Sequence, residues 1–159
     1  MAYAPNVLIT NHCNQSCGFC FARKEMSADT KKEMSIQDIE RLYRKMSRAD
    51  RFTTVKLLGG EPTIHSRFAD IVDLSLRYFK YLQLFTNGLY SDEKAKRLNG
   101  YGKRIKYTFN LMTPGYLLNK KIREQVLKRI GSVSPASEVT AAYTIDPHTD
   151  FDLLFKTMP

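Results

Sequence analysis

The sequence predicts an α/β fold in which parallel strands form a curved sheet or part of a barrel. Short apolar runs rich in β-branched and aromatic residues alternate with longer segments whose apolar residues recur at helical spacing. Strands that alternate with helices in this way lie parallel and are joined by right-handed crossover connections. The length of 159 residues suits a single domain, predicted to extend from residue 1 to residue 159.

Five segments have the character of strands. Each is short, contains apolar residues, and is bounded by glycine, proline, asparagine or another residue that favours turns. The predicted strands are Asn6–Thr10, Thr53–Leu58, Tyr81–Thr86, Ile105–Leu111 and Glu138–Ile145.

Helices are predicted between these strands from capping residues and apolar spacing. Ser35 caps the first of them, and Asp38 at the third position answers it. The other predicted helices run from about Phe68 to Phe79, from Ser91 to about Asn99, from Pro114 to about Gly131, and onward from Phe151.

All three cysteines of the chain lie in the loop after the first predicted strand. Cys13, Cys17 and Cys20 are spaced by four and then three positions, with Gly18 between the last two. Thiolates this close together suit a soft metal or an iron–sulfur cluster. Three thiolates are one fewer than a closed zinc site or a fully protein-bound cluster requires, so one metal position is left for another ligand.

The cysteine triplet alone allows two further interpretations. The three thiolates and the adjacent His12 would complete a zinc site, or the thiols would be buried without any ligand role. A disulfide framework is not expected, because the number of cysteines is odd and the sequence shows no secretory signal. Reduced thiols predict a cytoplasmic protein, and no apolar run approaches the roughly 20 residues that span a bilayer.

The chain is basic, with 25 Lys and Arg against 16 Asp and Glu and a net charge of +9. Such a charge attracts polyanions such as nucleic acid or an acidic peptide. The basic residues are scattered over the predicted helices, and no recognised binding motif accompanies them. The sequence therefore argues against specific nucleic-acid binding.

Glycine and polar residues follow the other predicted strands. They are Gly59, Gly60 and Glu61 after the second strand, Thr86 and Asn87 at the end of the third, and Asn110 at the end of the fourth. Paired glycines let the backbone approach a ligand closely. Because ligand sites in parallel α/β folds gather at the carboxyl ends of strands, we expect these residues and the cysteine loop to form one site.

The cysteine spacing Cys13-x-x-x-Cys17-x-Phe19-Cys20, followed by Gly59-Gly60-Glu61-Pro62, resembles the radical S-adenosylmethionine superfamily. The resemblance covers about residues 7 to 145. It implies a partial (βα) barrel with a [4Fe–4S] cluster, in which the cysteines hold three irons and S-adenosylmethionine chelates the fourth. It also implies that reductive cleavage of S-adenosylmethionine gives a 5′-deoxyadenosyl radical, which abstracts a hydrogen atom from a substrate.

The resemblance assigns further roles around the bound S-adenosylmethionine. Gly59, Gly60 and Glu61 would receive the methionine ammonium, a cation well matched to carbonyls and a carboxylate. Other residues would lie around the adenosyl group: Phe19, Tyr143 and Ile145 beside the adenine, Asn110 at the ribose, and Thr86 and Asn87 at the border of the pocket.

The sequence also departs from the family pattern. Residues 109–112 lack the usual Ser-Leu-Asp arrangement, and five strands are visible where the family core has six. We therefore expect a compact core, a fragment, or a core completed by a partner subunit.

The resemblance implies an electron donor such as flavodoxin or ferredoxin. The substrate is unidentified. The run Leu57–Thr63 resembles the minimal core of peptide- and protein-modifying members, which implies a peptide or protein. The alternatives are a structural metal-binding or nucleic-acid-binding module with zinc on the three cysteines, and a non-catalytic partner subunit.

Overall fold

The computed structural model describes residues 4–26, 32–48 and 52–158 of the chain. Within them, five parallel strands form one sheet in the order β1-β2-β3-β4-β5, so that strands consecutive in sequence are neighbours in space. Their bounds are Asn6–Leu8 (β1), Thr54–Leu58 (β2), Tyr81–Thr86 (β3), Ile105–Asn110 (β4) and Glu138–Ala142 (β5). The predicted parallel α/β fold is confirmed, and the open sheet corresponds to a partial barrel.

Helices connect the strands in the described part of the chain. They are Arg23–Met26 (α1), Ile36–Ser47 (α2), Phe68–Tyr78 (α3), Asp92–Asn99 (α4), Pro114–Leu118 (α5), Lys120–Gly131 (α6) and Phe151–Thr157 (α7). The predicted caps are confirmed, since the Ser35 side chain accepts from Asp38 N and the Ser91 side chain accepts from Lys94 N. None of these helices combines the length and the apolar character that crossing a bilayer requires.

The prediction of a single helix after Pro114 is wrong, because the structure has two helices there. Asn119 interrupts them with extended backbone, at φ −120° and ψ 107°, and its side chain accepts from Ile122 N to begin α6. Asparagine favours this capping role over a helix interior. The interruption leaves Leu118 at the end of α5, where it is 76% exposed.

The two faces of the sheet differ in burial. Val55 and Leu57 of β2 and Leu82 and Leu84 of β3 are fully buried in the hydrophobic core, which lies between the sheet and the helices. Because side chains alternate along a strand, the residues between them point to the opposite face. We call that opposite side, which carries Leu58, Phe85 and Thr108, the inner face; those three residues line a cavity at the strand ends.

The cysteine loop leaves β1 and returns beside it. Ile9 N donates to Leu58 O at 3.0 Å, so the chain stays against β2 beyond the last strand residue. Thr10 forms an antiparallel bridge with Glu33, and Met34 N donates to Ile9 O at 2.8 Å. These bonds fix both ends of the loop next to the carboxyl end of β2.

Candidate functional site

A cavity of about 410 Å³ opens at the carboxyl ends of the strands. The structure brings together in its lining the segments that the sequence places after four different strands. The predicted site residues that line it are Cys13, Cys17, Phe19, Cys20, Gly59, Gly60, Glu61, Thr86, Asn87 and Asn110. The convergence expected from parallel strand topology is therefore present as one continuous site.

Tyr143 and Ile145 do not line this cavity. The residues of that segment that do are Ala142 and Thr144. Tyr143 packs against the hydrophobic core, while Ile145 is 51% exposed. The adenine roles of Tyr143 and Ile145 therefore stay a prediction, since neither residue lines the cavity as the structure has it.

Gly59 and Gly60 lie directly against the cysteine loop. A Cβ atom at Gly59 would be 2.5 Å from Thr10 O, and one at Gly60 would be 2.0 Å from His12 O. Gly60 N donates to Thr10 O at 2.9 Å, and Glu61 N donates to His12 O at 2.7 Å. The sequence indicated close approach to a ligand, and the structure shows that the glycines also permit close approach of the chain to itself.

Glu61 is a buried carboxylate, only 1% exposed. Its Oε1 accepts from Thr63 N at 3.3 Å, Thr63 Oγ1 at 2.7 Å and Thr86 Oγ1 at 2.8 Å, and its Oε2 accepts from Asn87 N at 2.8 Å. Burial raises the pKa of Glu61, and the bonds from Asn87, Thr63 and Thr86 act in the opposite direction. Four donors, with no acceptor among the described residues, match an ionised carboxylate that joins the ends of β2 and β3.

The three thiols are partly buried and face the same cavity. Burial raises the pKa of Cys13, and burial together with the neighbouring Cys13 and Cys20 raises the pKa of Cys17 to about 11. Because their pKa values are raised, Cys13 and Cys17 become thiolates only when a bound metal supplies a compensating positive charge. The donor set therefore fits a metal centre with several thiolate ligands.

A single metal ion has different requirements from a cluster. Among the residues that the structure describes, no three His, Cys, Asp or Glu side chains are placed to hold one ion, so the zinc site of the alternative interpretation is not formed there. The irons of a [4Fe–4S] cluster occupy separate corners, so its thiolates need only surround a common cavity. The residues present fit the cluster.

The Radical SAM superfamily model matches residues 7–142. The chain belongs to this superfamily. Members use a [4Fe–4S] cluster and S-adenosylmethionine, which are therefore the cofactors expected in the cavity of this radical SAM domain.

Two curated proteins are similar to the chain in sequence. The 7,8-dihydro-6-hydroxymethylpterin dimethyltransferase of Methanocaldococcus jannaschii is 34% identical over 103 residues, which are 64% of this chain and 19% of that protein. A probable GTP 3′,8-cyclase of Thermococcus kodakarensis is 35% identical over 109 residues, which are 68% of this chain and 35% of that protein. The chain thus spans well under half the length of these relatives.

The fold is shared with solved radical SAM structures. Streptococcus suis SuiB bound to S-adenosylmethionine superposes with a TM-score of 0.69 and covers 98% of this chain and 38% of its own, at 20% identity. At that identity the likeness concerns the fold.

Two residues between the cysteines anchor the loop of this radical SAM domain. Asn87 Nδ2 donates to Asn14 Oδ1 at 2.6 Å, and Gly115 N donates to Gln15 Oε1 at 3.0 Å. The loop is thereby tied to the segments that follow β3 and β4. Sequence reasoning missed both anchors, because residues between the cysteines of such a motif carry no chemical signal of their own.

Replacing Glu61 by glutamine should destabilise the domain by about 2–4 kcal/mol. The NH₂ group of glutamine would face N–H and O–H donors, so at least one buried donor would lose its acceptor. The remaining hydrogen bonds would be weaker, because they would go to a neutral oxygen and no longer to a charged one. Urea unfolding of the metal-free protein measures the loss. Glu40→Gln is the matched control, since Glu40 accepts from Tyr78 Oη on α3, away from the cavity; equal losses in the two variants would contradict the bridging role of Glu61.

Proposed function

We propose that the chain is the catalytic core of a radical SAM enzyme, with the [4Fe–4S] cluster on Cys13, Cys17 and Cys20. The observation that carries the proposal is the pair of backbone hydrogen bonds between the cysteine loop and the Gly60–Glu61 segment. They join the thiol ligands and the ammonium-binding segment into one unit beside one cavity. When bound, the reduced cluster supplies the electron that cleaves S-adenosylmethionine to methionine and a 5′-deoxyadenosyl radical.

The residues of the chain would hold S-adenosylmethionine by charge and by shape. Glu61 Oε2 accepts one hydrogen bond from the protein and keeps acceptor capacity for the methionine ammonium. Gly59 and Gly60 line the same cavity as Glu61. Phe19 and Phe85 supply apolar walls for the adenosyl group, which excludes water from around the reactive carbon.

The ribose side of the cavity is formed by the inner face of the sheet. Thr108 and Asn110 of β4 line it, and both carry groups that hydrogen-bond hydroxyls. Asn110 Oδ1 accepts from Met112 N at 3.0 Å, which fixes the side chain at the strand end. We assign the ribose contact to this pair. Ala142 at the end of β5 and Thr144 just beyond it line the same cavity and are the candidates for the adenine side.

The identity of the substrate stays a prediction. A peptide or protein was suggested by the sequence, whereas the relatives at 34% and 35% identity are named for a pterin and for GTP. An electron donor such as flavodoxin or ferredoxin, a completing subunit and a cytoplasmic location belong to the same proposal.

Anaerobic reconstitution with iron and sulfide tests the proposed function. We expect a brown protein that, once reduced, converts S-adenosylmethionine to methionine and 5′-deoxyadenosine in equal amounts, measured by chromatography. Uptake of zinc without any cluster would contradict the proposal. A loaded cluster that leaves S-adenosylmethionine intact would instead identify a non-catalytic subunit.

A further inference from the structure

Five polar side chains form a row across the inner face of the sheet. Asn6 is in register with Lys56, Lys56 with Gln83, Gln83 with Lys106, and Lys106 with Glu138. Each strand contributes one residue, and we call the set the polar row. A sheet face that served only as packing surface would carry apolar residues at such positions.

Contacts confirm which face the row occupies. Val55 and Leu57, on either side of Lys56, are fully buried in the core, so Lys56 points the other way. Gln83 Nε2 donates to Thr108 Oγ1 at 2.9 Å, and Thr108 lines the cavity. The polar row therefore lies on the same side of the sheet as the site.

The row lies immediately beneath the cavity. The next register row contains Leu58, Phe85 and Thr108, and all three line the cavity. Two residues along a strand span about 7 Å, which is within the length of a small molecule or side chain. The polar row therefore lies one small-molecule length from the residues that line the cavity.

The row carries an unbalanced positive charge. Lys106 Nζ pairs with Glu138 Oε2 at 2.6 Å, which neutralises one lysine. The half-buried side chain of Lys56 has neither a hydrogen bond nor an ion pair with any residue that the structure describes. A partly desolvated ammonium is costly without an anion, and the neighbouring Gln83 amide has a second hydrogen to donate.

We propose that Lys56, assisted by Gln83, binds an anionic oxygen group of the substrate, a carboxylate or a phosphate. The substrate would then extend upward, so that the carbon that loses hydrogen lies in the cavity beside the adenosyl group. That the bound anion belongs to a substrate rests on the proposed function. Anion binding at Lys56 itself needs neither the cluster nor S-adenosylmethionine. The proposal thus specifies a substrate class that the cofactor motifs leave open.

Titration of the protein with small anions, followed by NMR of the backbone amides and lysine side chains, tests this site. The probes are inorganic phosphate and pyrophosphate in one arm, and acetate and glutarate in the other, at constant ionic strength. We expect saturable shifts at Lys56, Gln83 and Thr108 with at least one probe. Lys56→Met should raise the Kd of that probe about tenfold or more, because it removes a charged hydrogen bond, and Lys56→Arg should retain binding.

Lys45→Met is the matched control, because it removes the same charge from the exposed outer side of α2, and it should leave the Kd unchanged. Preference for one arm distinguishes phosphate from carboxylate. The proposal is overturned if no probe gives saturable shifts at Lys56, or if the two methionine variants weaken binding equally. Cleavage of S-adenosylmethionine is measured separately, so an active protein that binds no anion refutes only the anion site.

Discussion

Replacing Cys17 by alanine should remove the cluster and lower S-adenosylmethionine cleavage at least about a hundredfold. Cys17 is the central thiol of the three, and its neighbours Cys13 and Cys20 both contribute to its raised pKa. Bound metal keeps such a thiol deprotonated, and without Cys17 the cluster would lack one of its three protein ligands. Iron content, visible absorption and 5′-deoxyadenosine production measure the effect.

The metal-free Cys17→Ala protein should be nearly as stable as the parent. Cys17 is only partly buried, so its removal costs the apo fold about 1 kcal/mol or less. Ser16→Ala, an exposed change in the same loop, serves as the control and should retain cluster and turnover. A Cys17→Ala protein that kept iron and cleaved S-adenosylmethionine would refute the assignment of the cluster ligands.

The strand pattern was the most predictable part of this fold. β3 has the predicted bounds Tyr81–Thr86, and β2 and β4 differ from prediction by one residue at one end. Apolar runs between turn residues determine these strands locally, and parallel topology then places their carboxyl ends together. Gly88 illustrates the same local control, because its φ of 81°, directly after β3, lies in the left-handed region that glycine adopts without strain.

The missed features depend on contacts between distant segments. Glu61 joins Thr86 and Asn87 across 25 and 26 positions, and Gln15 reaches Gly115 across 100. No local pattern in the sequence specifies such pairs. Tyr143 follows the last residue of β5 and lies outside the cavity lining, so its adenine role stays a prediction.

The second large effect is expected from a substitution at Gly60, because its Cα lies against the backbone of the cysteine loop. An added Cβ would be 2.0 Å from His12 O, 2.4 Å from the His12 carbonyl carbon and 2.9 Å from Cys13 Cβ. These neighbours are backbone or the first atom of a side chain, so no rotamer change relieves the overlap. The loop must move away, which breaks the bonds from Gly60 N to Thr10 O and from Glu61 N to His12 O.

We therefore expect Gly60→Ala to destabilise the apo protein by about 2–4 kcal/mol and to lower iron retention and S-adenosylmethionine binding together. Gly18→Ala is the matched control in the same site, since no atom lies within 4 Å of its added Cβ, and its unfolding free energy should change by about 0.5 kcal/mol or less. Urea unfolding and equilibrium binding compare the two variants. If both were equally stable, the cysteine loop and the glycine pair would not be the single unit on which the proposed site depends.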